Sequence, residues 1–378
     1  MSNLLEKASI VTTPTAYDNG KILSVKPNTS VGDFDFTRNS SATRVNSQGL
    51  IEDVASGLPR IDYTDGVGSW LFEPQSTNKV TYSEDFTQWT KDGGALIESG
   101  YLAPDGSNNA YKVSGTSSSS LYLASITNTT DTRTIWARTV SGTGDVYLCG
   151  NLNDANGLFT VTSQWQRFEL NGFTGGGATD FTAVDFRGSS TLTEVIIWGA
   201  QAEVLSYATS YISTNGSTAT RLQDAAFDSG SADLINSTEG VLYAEIAALS
   251  DDLSFRVLSL SDGTNHNTVK FGYRSDSNKI YSEFRTAASS QSFMSFDVSD
   301  ITEFNKVAFK YKENDFSLWI NGVKRATDTS GLVPNTGTFN SLSFNRADVN
   351  NIFFGKTKCV AVFKEALTDE ELTCLTTI

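Results

Sequence analysis

Short aromatic and β-branched runs, each bounded by Gly, Asn, Asp or Ser clusters, recur along almost the whole of this 378-residue chain. Side chains of that kind fit a pleated, half-buried surface, and the clusters between them are turn chemistry. Gly (30) far exceeds Pro (6), while 23 Phe and 13 Tyr supply the bulky residues. Only one convincing helix is visible. Thr368, Asp369, Glu370 and Glu371 precede Leu372 and Leu375 and form a capping box that opens a short C-terminal helix. The expected class is therefore all-β, and the length calls for two or three domains rather than one small core.

The clearest local signal is Asp315–Arg325, DFSLWINGVKR. Phe316, Leu318 and Ile320 share one face of a strand and Trp319 takes the other. Asn321 and Gly322 then supply a two-residue type I′ turn, which needs positive φ at both positions. Between Tyr82 and Trp198 about eight strand candidates follow at ~8–15-residue spacing, a jelly-roll pattern. They include Asn109–Val113, Leu121–Ala124, Thr132–Val140, Asp145–Gly150 and Val195–Trp198. Arg133 and Ile135 are expected to point opposite to Thr134 and Trp136. A further module begins after Arg221, with strands at Gly240–Ile246, Phe255–Leu260, Val269–Tyr273 and Lys279–Arg285.

Residues 1–80 carry few regular patterns. They read as an attachment or oligomerisation segment that gains order against a neighbour. The expected domains are thus 1–80, 81–222 and 223–378: the attachment segment, then two β-sandwich (jelly-roll) domains. An echo marks the joints, since Asn39–Arg44 reads NSSATR and Asn215–Arg221 reads NGSTATR.

The formal charge of −15 and the lack of a Lys/Arg cluster exclude a phosphate-backbone footprint, so no nucleic-acid partner is expected. Solubility is the ordinary reading of the acidity. Cys149, Cys359 and Cys374 have no CxxC spacing, and Cys149 in VYLCG reads as a buried free thiol. The start MSNLLEKASIVTTPTAY lacks a signal-peptide pattern, and no apolar run approaches ~18 residues, so no membrane insertion is expected.

Several segments resemble tailed-bacteriophage appendage proteins of Bacteroidetes-type phages: Phe36–Val54, Arg60–Gly66, Leu71–Asn78 and Tyr82–Trp89. Ile196–Glu203 and the tract following it, with Thr134–Val140 and Trp165–Phe168, resemble the jelly rolls of carbohydrate-binding modules. Trp319–Val323 and Val360–Leu372 resemble a laminin-G or concanavalin A-like lectin sandwich. The resemblance implies a virion structural protein, a tail or head fibre that displays lectin-like modules and binds host-surface polysaccharide. It also implies other virion proteins as partners of the N-terminal segment, and a homotrimer. The chain would be made in the bacterial cytoplasm and end in the virion.

Sugar recognition stacks pyranose faces on aromatic rings and adds Asn, Asp or Gln hydrogen bonds. Trp136, Tyr122 and Tyr147 are candidate platforms, against the ordinary reading of core packing; Trp165 and Trp198 are assigned to the core. In the last module Asn265, His266, Asn267 and Asp276 sit on expected loops, where lectin sandwiches bind ligands. His266 is the one histidine, so a Ser-His-Asp arrangement must use it or not exist, and a solvated turn residue is the simpler role. The Glu-x-Asp-x-x-Glu strand of sandwich glycanases is absent, and no catalytic residue is expected, although two carboxylates distant in sequence can still pair. No cofactor is called for with certainty. Calcium stays open: Asp33–Asp35, Asp262–Asn267 and Asp276–Asn278 can supply oxygen ligands, and Asx-turns explain them equally well.

Overall fold

The computed structural model describes residues 4–124, 126, 131–150, 157–173, 180–348 and 350–377. It is built of antiparallel strands and has one eight-residue helix, Asp369–Thr376, whose capping box of Thr368 and Glu371 is formed as expected. The chain divides into two compact units. Unit 1 comprises Met1–Asn39, Val54–Pro74 and Gln223–Ile378, and unit 2 comprises Ser40–Asp53 and Gln75–Leu222.

In unit 1 one sheet runs in the order Val323–Asp328, Phe316–Ile320, Asn305–Lys312, Glu239–Ala248, Gly355–Phe363, Ser69–Phe72 and Ile61–Asp62. A five-stranded sheet orders Ser289–Asp297, Lys279–Thr286, Thr268–Tyr273, Arg256–Ser261 and Ser341–Ser343. Alternate residues of both sheets, among them Leu242, Phe309, Leu318, Leu258, Phe271 and Phe284, form one buried core. Phe284 packs on Phe316 and Tyr311 at centroid distances of 5.2 and 5.6 Å. Truncation of such a ring costs ~3–5 kcal/mol. The opposite face of the first sheet buries Val241, Tyr243 and Trp319 with Leu367 and Leu372. The face split foreseen at Phe316, Leu318 and Ile320 against Trp319 is thus observed.

Residues 1–80 do not form a segment of their own. Ala8–Thr12 pairs with Gly355–Phe363, and Ile10, Ile22, Phe34, Phe36, Trp70 and Phe72 enter the core of unit 1. Strands this short have no core to bury by themselves, so they complete one assembled from distant parts of the chain. A buried ionic network holds them there. Asp224 accepts hydrogen bonds from Arg38 at 3.0 Å, from Arg60, and from the Glu73 N–H at 2.8 Å, while Arg60 also pairs with Glu73 at 2.6 Å. The four side chains are at most 3% exposed. Burial works against the Arg60 charge, but Asp224 and then Glu73 outweigh it and raise its pKa.

Unit 2 is a sandwich of two five-stranded sheets. The first orders Thr90–Asp92, Ser120–Ala124, Asp180–Asp185, Gly144–Gly150 and Leu158–Val161. The second orders Leu96–Tyr101, Ala110–Ser114, Glu194–Glu203, Asp131–Arg138 and Gln166–Phe173. Val113, Leu121, Ile135, Val146, Leu148 and Val195 lie between them. Ile135 therefore points into the sandwich and Trp136 away from it, into a second cluster with Trp198, Ile196 and Tyr211. The echoed tracts both become strands of this unit, Ala42–Val45 and Ala219–Arg221, and the Leu222 N–H donates to Ser40 Oγ at 2.9 Å.

Candidate ligand-binding face

The five-stranded sheet of unit 1 has one face in the core and an outer face that is open where Phe255, Phe293 and Ser295 are exposed, while Val257, Ser259, Ser261, Thr268 and Lys270 on that face are buried. Strand register fixes what the open face shows, because alternate residues along each strand point the same way. One transverse row is Ser343, Ser259, Lys270, Glu283 and Phe293. The next is Val257, Gly272, Tyr281 and Ser295. On the other side lie Ser261, Thr268 and Arg285. Gly272 is needed for close approach of the neighbouring strand, since a Cβ there would lie 1.9 Å from the Arg256 carbonyl oxygen.

Four side chains from four segments meet at one end of this face. The Tyr281 ring is buried, and Phe293 lies 5.9 Å from it at an interplanar angle of 30°. Phe255 meets it edge-on at 6.2 Å. The Arg274 guanidinium stands over all three rings, at 5.0 Å from Phe293, 5.9 Å from Tyr281 and 6.0 Å from Phe255. Phe293 is 48% exposed and Phe255 41%, so two aromatic rings stay in water beside a cation.

The rest of the face is charged and internally paired. Lys270 Nζ donates to Asn265 Oδ1 at 2.9 Å and pairs with Glu283 at 2.9 Å; Arg285 also pairs with Glu283 at 2.9 Å. Burial lowers the Lys270 pKa against the pull of Glu283. For Glu283 burial acts upward, but the hydrogen bond and charge of Lys270, then Arg285, hold the carboxyl below its ordinary range. Arg346 grips Asp348 through two hydrogen bonds of 2.8 and 2.7 Å and brings it down to about 2.

The residues singled out from the sequence are dispersed. Asn265, His266 and Asn267 occupy the loop before Thr268–Tyr273, and Asp276 the turn after it, so about 20 Å of strand separates the two sets. Asn265 supports Lys270. Asn267 Nδ2 donates to Asp262 at 2.7 Å, and its Oδ1 accepts from the Ala287 N–H at 3.0 Å. The His266 side chain is exposed, and Asp276 stands 3.6 Å from Arg274.

In unit 2, Trp136 lies on the other sheet from Tyr122 and Tyr147. It sits 5.4 Å from Trp198 and 5.5 Å from Tyr211, both near edge-on, with Arg167 over its ring at 4.4 Å. Trp198 is buried, whereas Trp165, expected in the core, is half-buried and carries Arg138 over its ring at 5.2 Å. Tyr122 and Tyr147 are half-buried and outside the unit 2 core, with the Tyr147 ring against Gly188.

The aspartates considered for calcium have protein partners. Asp33 accepts from Ser24 N at 2.8 Å, Asp35 pairs with Lys21, and Asp262 accepts from Thr264 N at 2.9 Å. Among the described residues, no group of three His, Cys, Asp or Glu side chains could hold a metal ion.

Phe255, Arg274, Tyr281 and Phe293 went unnoticed in the sequence, although a signal exists. Tyr281 and Phe293 are aromatic residues in the polar phase of their strands: Lys279, Glu283 and Arg285 flank the first, Gln291 and Ser295 the second.

Residues 242–373 match the family model of the concanavalin A-like lectin/glucanases superfamily. The face and its loop supports lie within that span. No curated protein matches the chain. Among solved structures, the CBM40 of the Ruminococcus gnavus IT-sialidase bound to α2,3-sialyllactose is 22% identical, with a TM-score of 0.32, over 37% of this chain and 83% of that one. Domain 4 of a GH43 extracellular arabinanase from Geobacillus stearothermophilus, in complex with arabinotriose, is 15% identical (TM-score 0.32) over 45% and 82%. The NanB sialidase from Streptococcus pneumoniae is 15% identical (TM-score 0.33) over 39% and 25%.

Proposed function

We propose that this chain is a glycan-binding protein of a tailed-bacteriophage appendage, with sugar held on the open face at Phe255, Tyr281 and Phe293. The observation that carries the sugar reading is the pair of solvent-exposed phenylalanines seated on a buried tyrosine, in the part of the chain that matches a lectin/glucanase family. Exposed rings held in place by packing lose little entropy when a pyranose face covers them, and the neighbouring polar side chains suit its hydroxyls. The chain acts by binding and not by hydrolysis. Glu283 is kept ionised by Lys270 and Arg285, and Asp348 by Arg346, so neither stands ready as the protonated acid that glycoside cleavage needs.

The particle assignment is supported by the resemblance of Phe36–Val54, Arg60–Gly66 and Leu71–Asn78 to phage appendage segments. Arg38, Arg60 and Glu73 of those segments build the buried network of unit 1. In the virion the N-terminal residues would contact other particle proteins, and the chain would assemble as a homotrimer.

A glycan array of host-surface polysaccharides, run with wild type, Phe293→Ala and Phe255→Ala, tests the site. Binding that falls at least about tenfold in both variants is expected. Undiminished binding would overturn the site, and silence of the wild type would favour a decoration protein that binds no sugar. A reducing-end assay on the same polysaccharides should show no new ends. Immunogold labelling of purified particles tests the location, and an unlabelled particle would sink it.

A further inference from the structure

We propose that the face selects sugars bearing a carboxylate, and that Arg274 is the residue that reads it; this rests on the glycan-binding reading above. The cations of the face differ in how much of their bonding capacity is spent. Arg285 donates to Asn265 O, Glu283 and Ala288 O. Arg346 is committed to Asp348, and Lys270 to Glu283 and Asn265. Arg274 makes no hydrogen bond among the described residues, and its Nε is buried without a partner. Its nearest anion is Asp276, at 3.6 Å, whose side chain is 50% exposed.

The guanidinium plane is nevertheless held, because three rings surround it. A planar fork fixed in orientation, with its donors unspent, matches a carboxylate through two parallel hydrogen bonds. The same rings that hold Arg274 are those on which the pyranose would lie. Stacking and carboxylate capture thus address one residue of the glycan, a uronic or other acidic sugar. Charge agrees with this. Within a chain of net charge −15, five cations of this face, Lys270, Arg274, Lys279, Arg285 and Arg346, stand beside the four carboxylates of Glu283, Asp348, Asp276 and Asp297. The face is locally positive on an acidic protein, which steers anions toward it.

The test uses oligosaccharides ending in glucuronate, galacturonate or sialate, each paired with its carboxyl-reduced counterpart. Titration calorimetry on the full chain measures both members of each pair. At least one acidic member should bind about tenfold or more tightly than its reduced form, with the preference shrinking as salt rises. Arg274→Gln should bring the two members of the pair together. Asp276→Asn should strengthen the acidic member alone, a gain that misfolding cannot imitate. Phe293→Ala, which removes a stacking ring and one of the rings that hold Arg274, should weaken both members and the acidic one more. Equal binding of both members by wild type, or a preference that survives Arg274→Gln, would overturn the carboxylate assignment and leave sugar binding standing. Failure of every pair to bind would overturn both.

Discussion

Asp224→Asn puts the buried network of unit 1 to a quantitative test. The substitution keeps the shape of the side chain and removes one negative charge. Arg38 and Arg60 then lose the carboxylate they share, and an amide N–H₂ is turned toward a guanidinium or the Glu73 N–H. All four side chains are essentially without solvent, so water cannot repair the loss. Breaking a buried pair by removing one partner costs ~3–5 kcal/mol. In a unit of roughly two hundred residues each kcal/mol moves the midpoint by ~2–4 °C. The transition of unit 1 should therefore fall by about 6–20 °C. Differential scanning calorimetry measures the shift, and peptide-resolved hydrogen exchange assigns it. Ala8–Thr12 and Ser69–Phe72 should lose protection while Val195 and Ile197 of unit 2 keep theirs. Asp233→Asn, on an exposed carboxylate, is the control and should stay within about 0.5 kcal/mol of wild type. A shift under about 2 °C, or equal loss of protection in both units, would refute the reasoning.

Two further outcomes follow from burial. Glu84 is pushed above its ordinary pKa by burial first, with Asp105 and Asp53 adding to it against the hydrogen bond from Tyr211. Because the folded pKa exceeds the unfolded one, the charged form is penalised in the fold. That penalty is present at neutral pH and disappears as pH falls through the folded value toward 4.5. Urea midpoints at pH 7 and pH 5 should show wild type gaining on Glu84→Gln at the lower pH; a gap that is constant or moves the other way refutes this. Burial also pushes the Cys149 thiol up, whereas Cys374 is exposed. Alkylation followed by mass spectrometry should label Cys374 promptly and Cys149 at least about a thousandfold more slowly in the native protein, and comparable rates would contradict the placement.

Local chemistry was legible where a short stretch decides the geometry. Asn321 and Gly322 have φ of 51° and 79°, as the turn requires, and the Thr368 capping box is closed. Facing residues in the Trp136 strand were readable for the same reason, since a two-residue period needs no partner. The Leu96–Tyr101 strand was not seen because it lies at a sheet edge and is largely exposed, which removes the alternation. Asp180–Asp185 is buried throughout and so shows no alternation either. The units were misdrawn because their strands find partners hundreds of residues away, and no window of sequence contains both halves. The binding face was missed on the same account: register across three hairpins, not spacing along the chain, brings Phe255, Arg274, Tyr281 and Phe293 together.

The pairing of Thr12 with Val360 also sets a timetable for synthesis. A ribosome adding ~5–20 residues per second needs roughly 17–70 s to travel from one strand to the other. Unit 2 ends at Leu222 and has all its strands well before that interval closes. The early, apolar Ala8–Thr12 must wait, with Ile10 and Val11 lacking the strand that will cover them. Ala8–Thr12 is thus secured only after Gly355–Phe363 has been made, and whatever guards nascent chains in the cell must cover it through that whole interval.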